Sequence, residues 1–409
     1  MKSSEQKEPA DQKKRQAFIT GVTENFSVIA PAGVGKTQAI VERIVRISRH
    51  PRASEWLPKL VVVTFTNKAA DEMQQRAREE ILRARVSIEI LEAFNRAFFG
   101  TIHSFCVKLL RDYGHHLGLP AQFDLVEDDE DLWRDFMQES LELTAVPTAH
   151  QQKFARHAPL QNVLALGRRL NPMVKWRSKI EACRELDFTQ LQSIVPRGGG
   201  AKNIERGKAL AEKWEQALRE NDGFLPVPKF EFGGRDFQKA WGETFTPLRK
   251  WLNDCALVVA AETARAYRAY RVARGCLSYA DQITLALELF QDPAIARALR
   301  ERDYRVILDE AQDTDPGQFQ LLLECARPVS AQGDWLTTAE FPPRHGHFSM
   351  VGDLQQSIFG QRADLGRYRA VHERLTSNDA GKALEFTTTF RCDQRIVDFV
   401  NATFPNVFN

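Results

Sequence analysis

The stretch Phe26 to Ile47, FSVIAPAGVGKTQAIVERIVRI, constrains this chain more than any other. A short apolar run, Ser27 to Ala30, reads as a strand. A loop of small residues follows, Pro31-Ala32-Gly33-Val34-Gly35. Lys36-Thr37 then leads into a helix with apolar residues at Ile40, Val41, Ile44, Val45 and Ile47. Strand, small-residue loop, Lys-Thr and helix make the layout of a phosphate-binding loop. Small residues let successive backbone N–H groups turn inward as an anion nest. The helix N-terminus adds partial positive charge. Lys36 is placed to reach the β- and γ-phosphates of a nucleoside triphosphate, and the Thr37 hydroxyl to hold Mg²⁺. The first position of the usual pattern is Ala30 rather than glycine. The competing reading is a glycine-containing turn that happens to precede a lysine, and the rest of the chain decides between the two.

Length and composition bound what surrounds this loop. With 409 residues the chain has room for two or three domains. An apolar fraction of 43% and a charged fraction of 27% are ordinary for a globular protein. The net charge of +2 hides an asymmetry, because Gln151 to Val272 carries 22 Lys+Arg against 13 Asp+Glu. A basic middle segment suits a polyanion, and equally suits a solvated helical surface. Cys106, Cys183, Cys255, Cys276, Cys325 and Cys392 form no C-x-x-C pair. They fit no zinc or iron–sulfur spacing and read as buried thiols of a reducing compartment. The polar N-terminus has no apolar signal core, and no run approaches a membrane span, so the expected location is the cytoplasm, with no membrane partner.

Along the chain, strand-like and helical patterns alternate. Leu60 to Thr66 is a β-branched run that reads as a buried parallel strand. A helix opens at Asn67, with Thr66 or Asn67 as its cap. Ala97 to Ile102 is a third strand-like piece before another helix. From about Gly114 to Val272 helical stretches dominate, as in Glu130–Leu143, Asn203–Glu220 and Ala256–Arg274. Gly198 to Gly200 and Asn221 to Gly223 are breaks. Trp133, Trp176, Trp214, Phe230, Phe232, Trp241 and Trp251 read there as core aromatics. The strand pattern resumes at Arg305–Leu308, at Phe348–Val351 and at Leu384–Thr387. The fold class expected is α/β, a parallel sheet of RecA-like, phosphate-loop type interrupted by a helical insertion. The boundaries expected are 1–113 and 273–380 for the sheet domain, 114–272 for the insertion, and 381–409 for the start of a second sheet domain.

Asp309 and Glu310 follow the strand Arg305–Leu308. Ligands of open α/β sheets sit beyond the carboxyl ends of the strands. There Asp309 is placed to bind Mg²⁺ and Glu310 to orient and deprotonate an attacking water. Read alone, the pair serves equally as a helix N-cap.

Six segments occur in order: AGVGKT, VVVTFTNKAADEM, GTIHSFC, VILDEAQDTDPGQF, MVGDLQQSIFG and LEFTTTFR. They resemble motifs I, Ia, Ib, II, III and IV of superfamily 1A DNA helicases, the UvrD/Rep/PcrA group. The phrases YRAYRVARGCLSYADQITLALELF and ILDEAQDTDP are more similar to its AddA/RecB branch. The resemblance runs from about Asp11 to Phe404. It implies ATP and Mg²⁺ as cofactors, with Ala30 to Thr37 around the phosphates. It implies Asp309 and Thr37 on the metal, Glu310 as catalytic base, and Gln356 as γ-phosphate sensor. Arg362 and Arg391 would contact the γ-phosphate, Arg391 as an arginine finger. Phe390 would stack near the adenine, and Gln12 or Gln16 would contact it, although neither has the group's usual spacing. Thr64, Phe65, Thr66, Asn67, His103 and Ser104 match the single-strand contacts.

Two departures stand out. Gln361 occupies the place of an aromatic that often follows the motif III glycine, which leaves Phe359 as the stacking platform there. The chain also stops just past motif IV, so the expectation is an N-terminal fragment in which the strand Leu384–Thr387 lacks sheet neighbours. The activity implied is ATP-dependent DNA unwinding or translocation, 3′ to 5′, in repair or recombination. Single-stranded DNA with ends or junctions is the implied substrate, and a nuclease the implied partner protein. The alternative is an ATP-dependent single-strand-binding module without motor activity.

Overall fold

The structure, a computed structural model, describes residues 9–141, 154, 158–170, 185–196, 200–221, 234–338, 340–356, 365–377, 379–390 and 394–404. The chain forms two compact units, one of Met1–Gln122 with Ser278–Asn409, the other of Phe123–Leu277.

The first unit is built on a six-stranded sheet. Its strands are β1 (Phe26–Ile29), β2 (Leu60–Thr64), β3 (Phe98–Thr101), β6 (Arg305–Leu308), β7 (Phe348–Gly352) and β8 (Lys382–Glu385). The order is β3-β2-β6-β7-β1-β8, and every neighbouring pair is parallel. β2, β6 and β7 are buried along their whole length. That burial explains why their sequences are near-continuous apolar runs rather than alternating ones. Val62 lies beside Ile307 and Val28 beside Val351. The helix Lys36–Ser48 presents Ile40, Val41, Ile44 and Ile47 to one core cluster with Val28, Val62 and Val351. The helix Asn67–Arg83 starts where the sequence places it, with Thr66 as N-cap accepting the Ala69 N–H at 3.1 Å.

The last strand corrects an expectation. It runs over Lys382–Glu385 rather than Leu384–Thr387, and it does not lack neighbours. β8 pairs with β1, Leu384 opposite Val28. The Lys382 N–H donates to Asn25 O and the Phe386 N–H to Ile29 O, both at 2.9 Å. Phe386 is fully buried. β7 takes one edge of β1, and the other edge carried unpaired backbone groups for β8 to satisfy. The helix Gln394–Thr403 behind it keeps Ile396, Phe399 and Val400 exposed.

The second unit is helical apart from a short parallel pair, β4 (Asp124–Leu125) with β5 (Cys276–Leu277), which the sequence pattern did not signal. Its main element is a 39-residue helix, Arg235–Ala273, of which only the end from Ala256 was expected. Pro247 sits inside it. Proline normally ends a helix, but the buried stripe Phe237, Trp241, Phe245, Leu248, Trp251, Cys255 and Val259 continues straight through. Tertiary burial of that face outweighs the local propensity. Trp214 is buried as expected and Trp133 is half-buried, while Trp176, Phe230 and Phe232 lie outside the described residues. Cys106, Cys255 and Cys325 are buried free thiols, and Cys276 is half-buried. Among the described residues no helix is long and apolar enough to cross a membrane.

One side chain fastens three strand starts. Buried Asn25 donates through Nδ2 to Pro343 O at 3.1 Å and Ala380 O at 2.8 Å. Its Oδ1 accepts the His347 and Phe348 N–H groups, each at 2.9 Å. Asn25→Ala strands these four backbone groups away from water. The expected loss is about 2–4 kcal/mol of unfolding free energy, read as a lower urea midpoint with an unchanged slope.

Candidate functional site

The loop after β1 has the geometry its composition predicts. Gly33 and Gly35 hold φ of 75° and 78°, the left-handed region that glycine enters without strain. Gly35 caps the helix Lys36–Ser48, and no side chain caps that end. Its first amides therefore face the loop, the arrangement that receives an anion. The loop is held from behind. Ala30 N–H donates to Gly352 O at 2.9 Å, Phe390 N–H to Gly33 O at 2.8 Å, and Arg15 Nη1 to Val34 O at 2.6 Å.

Lys36 Nζ lies 2.8 Å from Glu310 Oε2. The two come from the loop after β1 and the end of β6, brought together by the sheet. Glu310 has φ 52° and ψ 44°, left-handed backbone that a non-glycine residue rarely adopts. Its Oε2 also accepts Gln312 Nε2 at 2.8 Å, and Gln312 Oε1 accepts the Asp353 N–H at 2.8 Å. Gln312 is almost fully buried and spans from the end of β6 to the end of β7. Gly352 makes room for it, since a Cβ there would stand 2.8 Å from Gln312 Oε1. Asp309 is 6% exposed and accepts the Glu310 N–H at 3.0 Å. Burial pushes its carboxyl up to about 7, the Glu310 charge adds to the rise, and Lys36 opposes it. A buried acid beside a second carboxylate, with one lysine between loop and strand, is a donor set that a divalent cation relieves. Hard oxygen donors of this kind suit Mg²⁺ held together with phosphate oxygens, and the glycine nest suits the phosphates.

The residues expected on a nucleic-acid strand line the same edge of the sheet. Phe65, just past β2, is 53% exposed. Thr64 is buried, and its hydroxyl donates to Thr66 O at 2.9 Å, which shapes the turn that presents Phe65. Ser104 Oγ lies 2.9 Å from Thr101 Oγ1 and 3.5 Å from Asn67 Oδ1. His103 meets the exposed Tyr279 edge-on, centroids 5.4 Å apart. Burial holds His103 below the usual imidazole range against the pull of Asp315. An open cleft of about 390 Å³ is lined by Phe65, His103, Asp309, Glu310, Thr314 and Gln318, so these side chains and the carboxylates share one space.

Other expected residues are not part of this constellation. Gln356 ends the turn after β7, half-buried, with its N–H on Asp353 O at 3.1 Å. Gln12 is half-buried in the first turn of the helix Gln12–Thr20, and Gln16 is exposed. Phe359, Gln361, Arg362 and Arg391 lie outside the described residues. Sequence reasoning missed Gln312, although it stands inside DEAQD, and missed Asp11, Arg15 and Tyr279. The i, i+4 spacing of Asp11 and Arg15 was the available signal for that pair.

The position of Asp309 sets a pH dependence. Its folded value, about 7, lies above the ordinary 3.8. The folded state then holds the extra proton between these values, so stability falls as pH rises through that window and stays lowered above it. Asp309→Asn removes this loss. With chelator present, the variant should melt above the parent, by a margin that grows from pH 5 to pH 7 and then levels. A margin independent of pH would show that Asp309 is ionised throughout.

Comparison with known proteins adds to this geometry. The family described as UvrD/REP helicase N-terminal domain matches residues 10–375. The chain is 27% identical to the A subunit of the ATP-dependent helicase/nuclease of Desulforudis audaxviator, over 96% of this chain and 39% of that protein. It is 24% identical to the protein of the same description from Exiguobacterium sibiricum, over 93% and 38%. The match to the Desulforamulus reducens protein is 38% identical over 28% of this chain and 10% of that protein. The chain spans about two-fifths of the length of the first two relatives. With a match that runs through both the phosphate loop and the strand-end carboxylates, the chain belongs to the UvrD/REP helicase family, in its N-terminal domain.

Proposed function

We propose that this chain hydrolyses ATP with Mg²⁺ and couples hydrolysis to movement along, or unwinding of, DNA in repair or recombination. The observation that carries the reading is the 2.8 Å contact of Lys36 with Glu310, in a structure whose carboxylate cleft also contains Phe65 and His103. The sheet-bearing unit is the first motor domain, and Phe123–Leu277 is a domain inserted in it.

Lys36 exchanges the Glu310 carboxylate for phosphate oxygens when the nest formed by Ala30 to Thr37 is filled. Glu310 is then released from the lysine but still held by Gln312, oriented to accept a proton from water. Thr37 and Asp309 hold Mg²⁺, which supplies charge neutralisation across the β- and γ-phosphates. Gln356, Arg362 and Arg391 are assigned to the γ-phosphate, Arg391 as the arginine finger, and Phe390 to the base. Gln12 is retained as a candidate base contact. On the nucleic-acid side Phe65 and Phe359 stack on bases. Thr64, Thr66, Asn67, His103 and Ser104 accompany the strand. The similarity to the helicase/nuclease proteins supports a nuclease-bearing partner, single-stranded substrates with ends or junctions, and 3′-to-5′ polarity.

Two sets of variants test this. Lys36→Ala should weaken ATP binding about tenfold or more, because a charge-assisted contact is lost. Glu310→Gln should bind ATP nearly as the parent does while turnover falls by about 10²–10⁴. Phosphate release that persists in Glu310→Gln, or that ignores added single-stranded DNA in the parent, would refute the reading.

Phe65→Ala should weaken single-strand binding by about 1–3 kcal/mol at fixed salt, with little dependence on sequence. Fluorescence anisotropy across a salt series measures this. Equal affinities for parent and variant would mark Phe65 as structural.

A further inference from the structure

The helix Gln12–Thr20 touches the phosphate loop through a pair that no motif assigns. Asp11 and Arg15 are both buried, 3% and 7% exposed, one helical turn apart. Arg15 Nε donates to Asp11 Oδ1 at 2.9 Å and Nη2 to Asp11 Oδ2 at 2.8 Å, a two-pronged pair. Oδ2 also accepts the N–H groups of Thr387 at 2.7 Å and Thr388 at 3.1 Å. Burial works against an ionised Asp11, yet Arg15 and these two N–H groups hold its carboxyl well below the usual carboxylate range. The remaining guanidinium hydrogens go to two carbonyls on different segments. Nη1 donates to Val34 O in the phosphate loop at 2.6 Å, and Nη2 to Thr388 O at 3.2 Å.

The guanidinium also meets two aromatic rings. Its carbon lies 4.5 Å from the centroid of Phe386 and 5.0 Å from that of Phe390. Phe386 is buried and anchors the end of β8, whereas Phe390 is 60% exposed. Phe390 is drawn to the loop by its own N–H, on Gly33 O at 2.8 Å, and its ring passes 3.6 Å from where a Cβ on Gly35 would stand. Two residues thus join the phosphate loop, the segment after β8 and an exposed aromatic plate. The pair is neutral as a whole, so its effect on a bound anion is geometric. Only arginine has the planar fork and the flat face to make all these contacts.

We propose that Asp11 and Arg15 are the positioning pair of the base end of the nucleotide site. They lock Phe390 in register with the phosphate loop, so that a triphosphate is held at both its phosphates and its base. The proposal rests on the nucleotide-site reading above. Arg15 is a positioning residue and touches no phosphate. Its loss should spare recognition of the polyphosphate and remove the advantage of carrying a base.

The test uses the whole chain with Mg²⁺ and two probes, ATP and inorganic tripolyphosphate, titrated by calorimetry. Arg15→Lys keeps the charge beside Asp11 and forfeits the fork and the stacking, and Phe390→Leu removes the plate. Arg15→Lys should lose about tenfold in ATP affinity, the scale of one stacked base. Its tripolyphosphate affinity should stay within about twofold of the parent's. Combined with Phe390→Leu, it should add little further loss, because both act on one contact. Parallel losses for both probes, or additive effects in the double variant, would reduce Arg15 to a support of the loop and overturn the inference alone. A parent that binds neither probe would overturn the nucleotide-site reading, and the inference with it.

Discussion

The contact between Lys36 and Glu310 joins residues 274 positions apart, and the arrangement of the sheet exists around it. β1 and β6 are not neighbours, because β7 runs between them. All three are parallel, so their carboxyl ends open on one edge, where an α/β sheet binds its ligands. A chain of hydrogen bonds closes that edge. Lys36 reaches Glu310, Gln312 reaches both Glu310 and the Asp353 N–H, and Gly352 leaves the space that Gln312 needs. Three strand ends thereby form one rim.

The rim is less comfortable than the sheet that supports it. Glu310 takes a left-handed backbone that costs about 1–3 kcal/mol for an ordinary residue. Asp309 is buried next to it, with burial and a like charge both opposing ionisation. β6 behind them is buried from Arg305 to Leu308 and paired on both sides, so the frame over-determines the strained turn. Aromatic side chains at this edge are likewise placed against ordinary folding preference. Phe65 and Phe390 stay more than half exposed where a core would have covered them. Strain, opposed charge and uncovered rings occur together where a charged and a flat ligand are both proposed to bind.

Most of the sheet was legible. The runs at Leu60, Arg305 and Phe348 are strands because buried parallel strands have a plain apolar pattern. β8 was misread because Lys382 and Glu385 are exposed and Leu384 only half-buried, so its pairing leaves little pattern in the residues. The long helix Arg235–Ala273 was cut short in the reading because Pro247 is a strong local signal, and the stripe that overrides it matters only once a core is present. The helix before β1 was read for glutamines, while its contacts to the phosphate loop come from Arg15, tied to Asp11.

By itself the sequence determined the local chemistry. Glycines that can turn amides inward, a lysine and threonine at a helix start, and two acids after an apolar run are properties of contiguous residues. Which of these meet was decided only by the tertiary structure. Arg15 hydrogen-bonds a carbonyl 373 residues away, and Asp11 accepts amides 376 and 377 residues away. Such pairs leave no periodicity in the chain, because strand order and register, rather than spacing along the backbone, set which groups come within hydrogen-bonding distance.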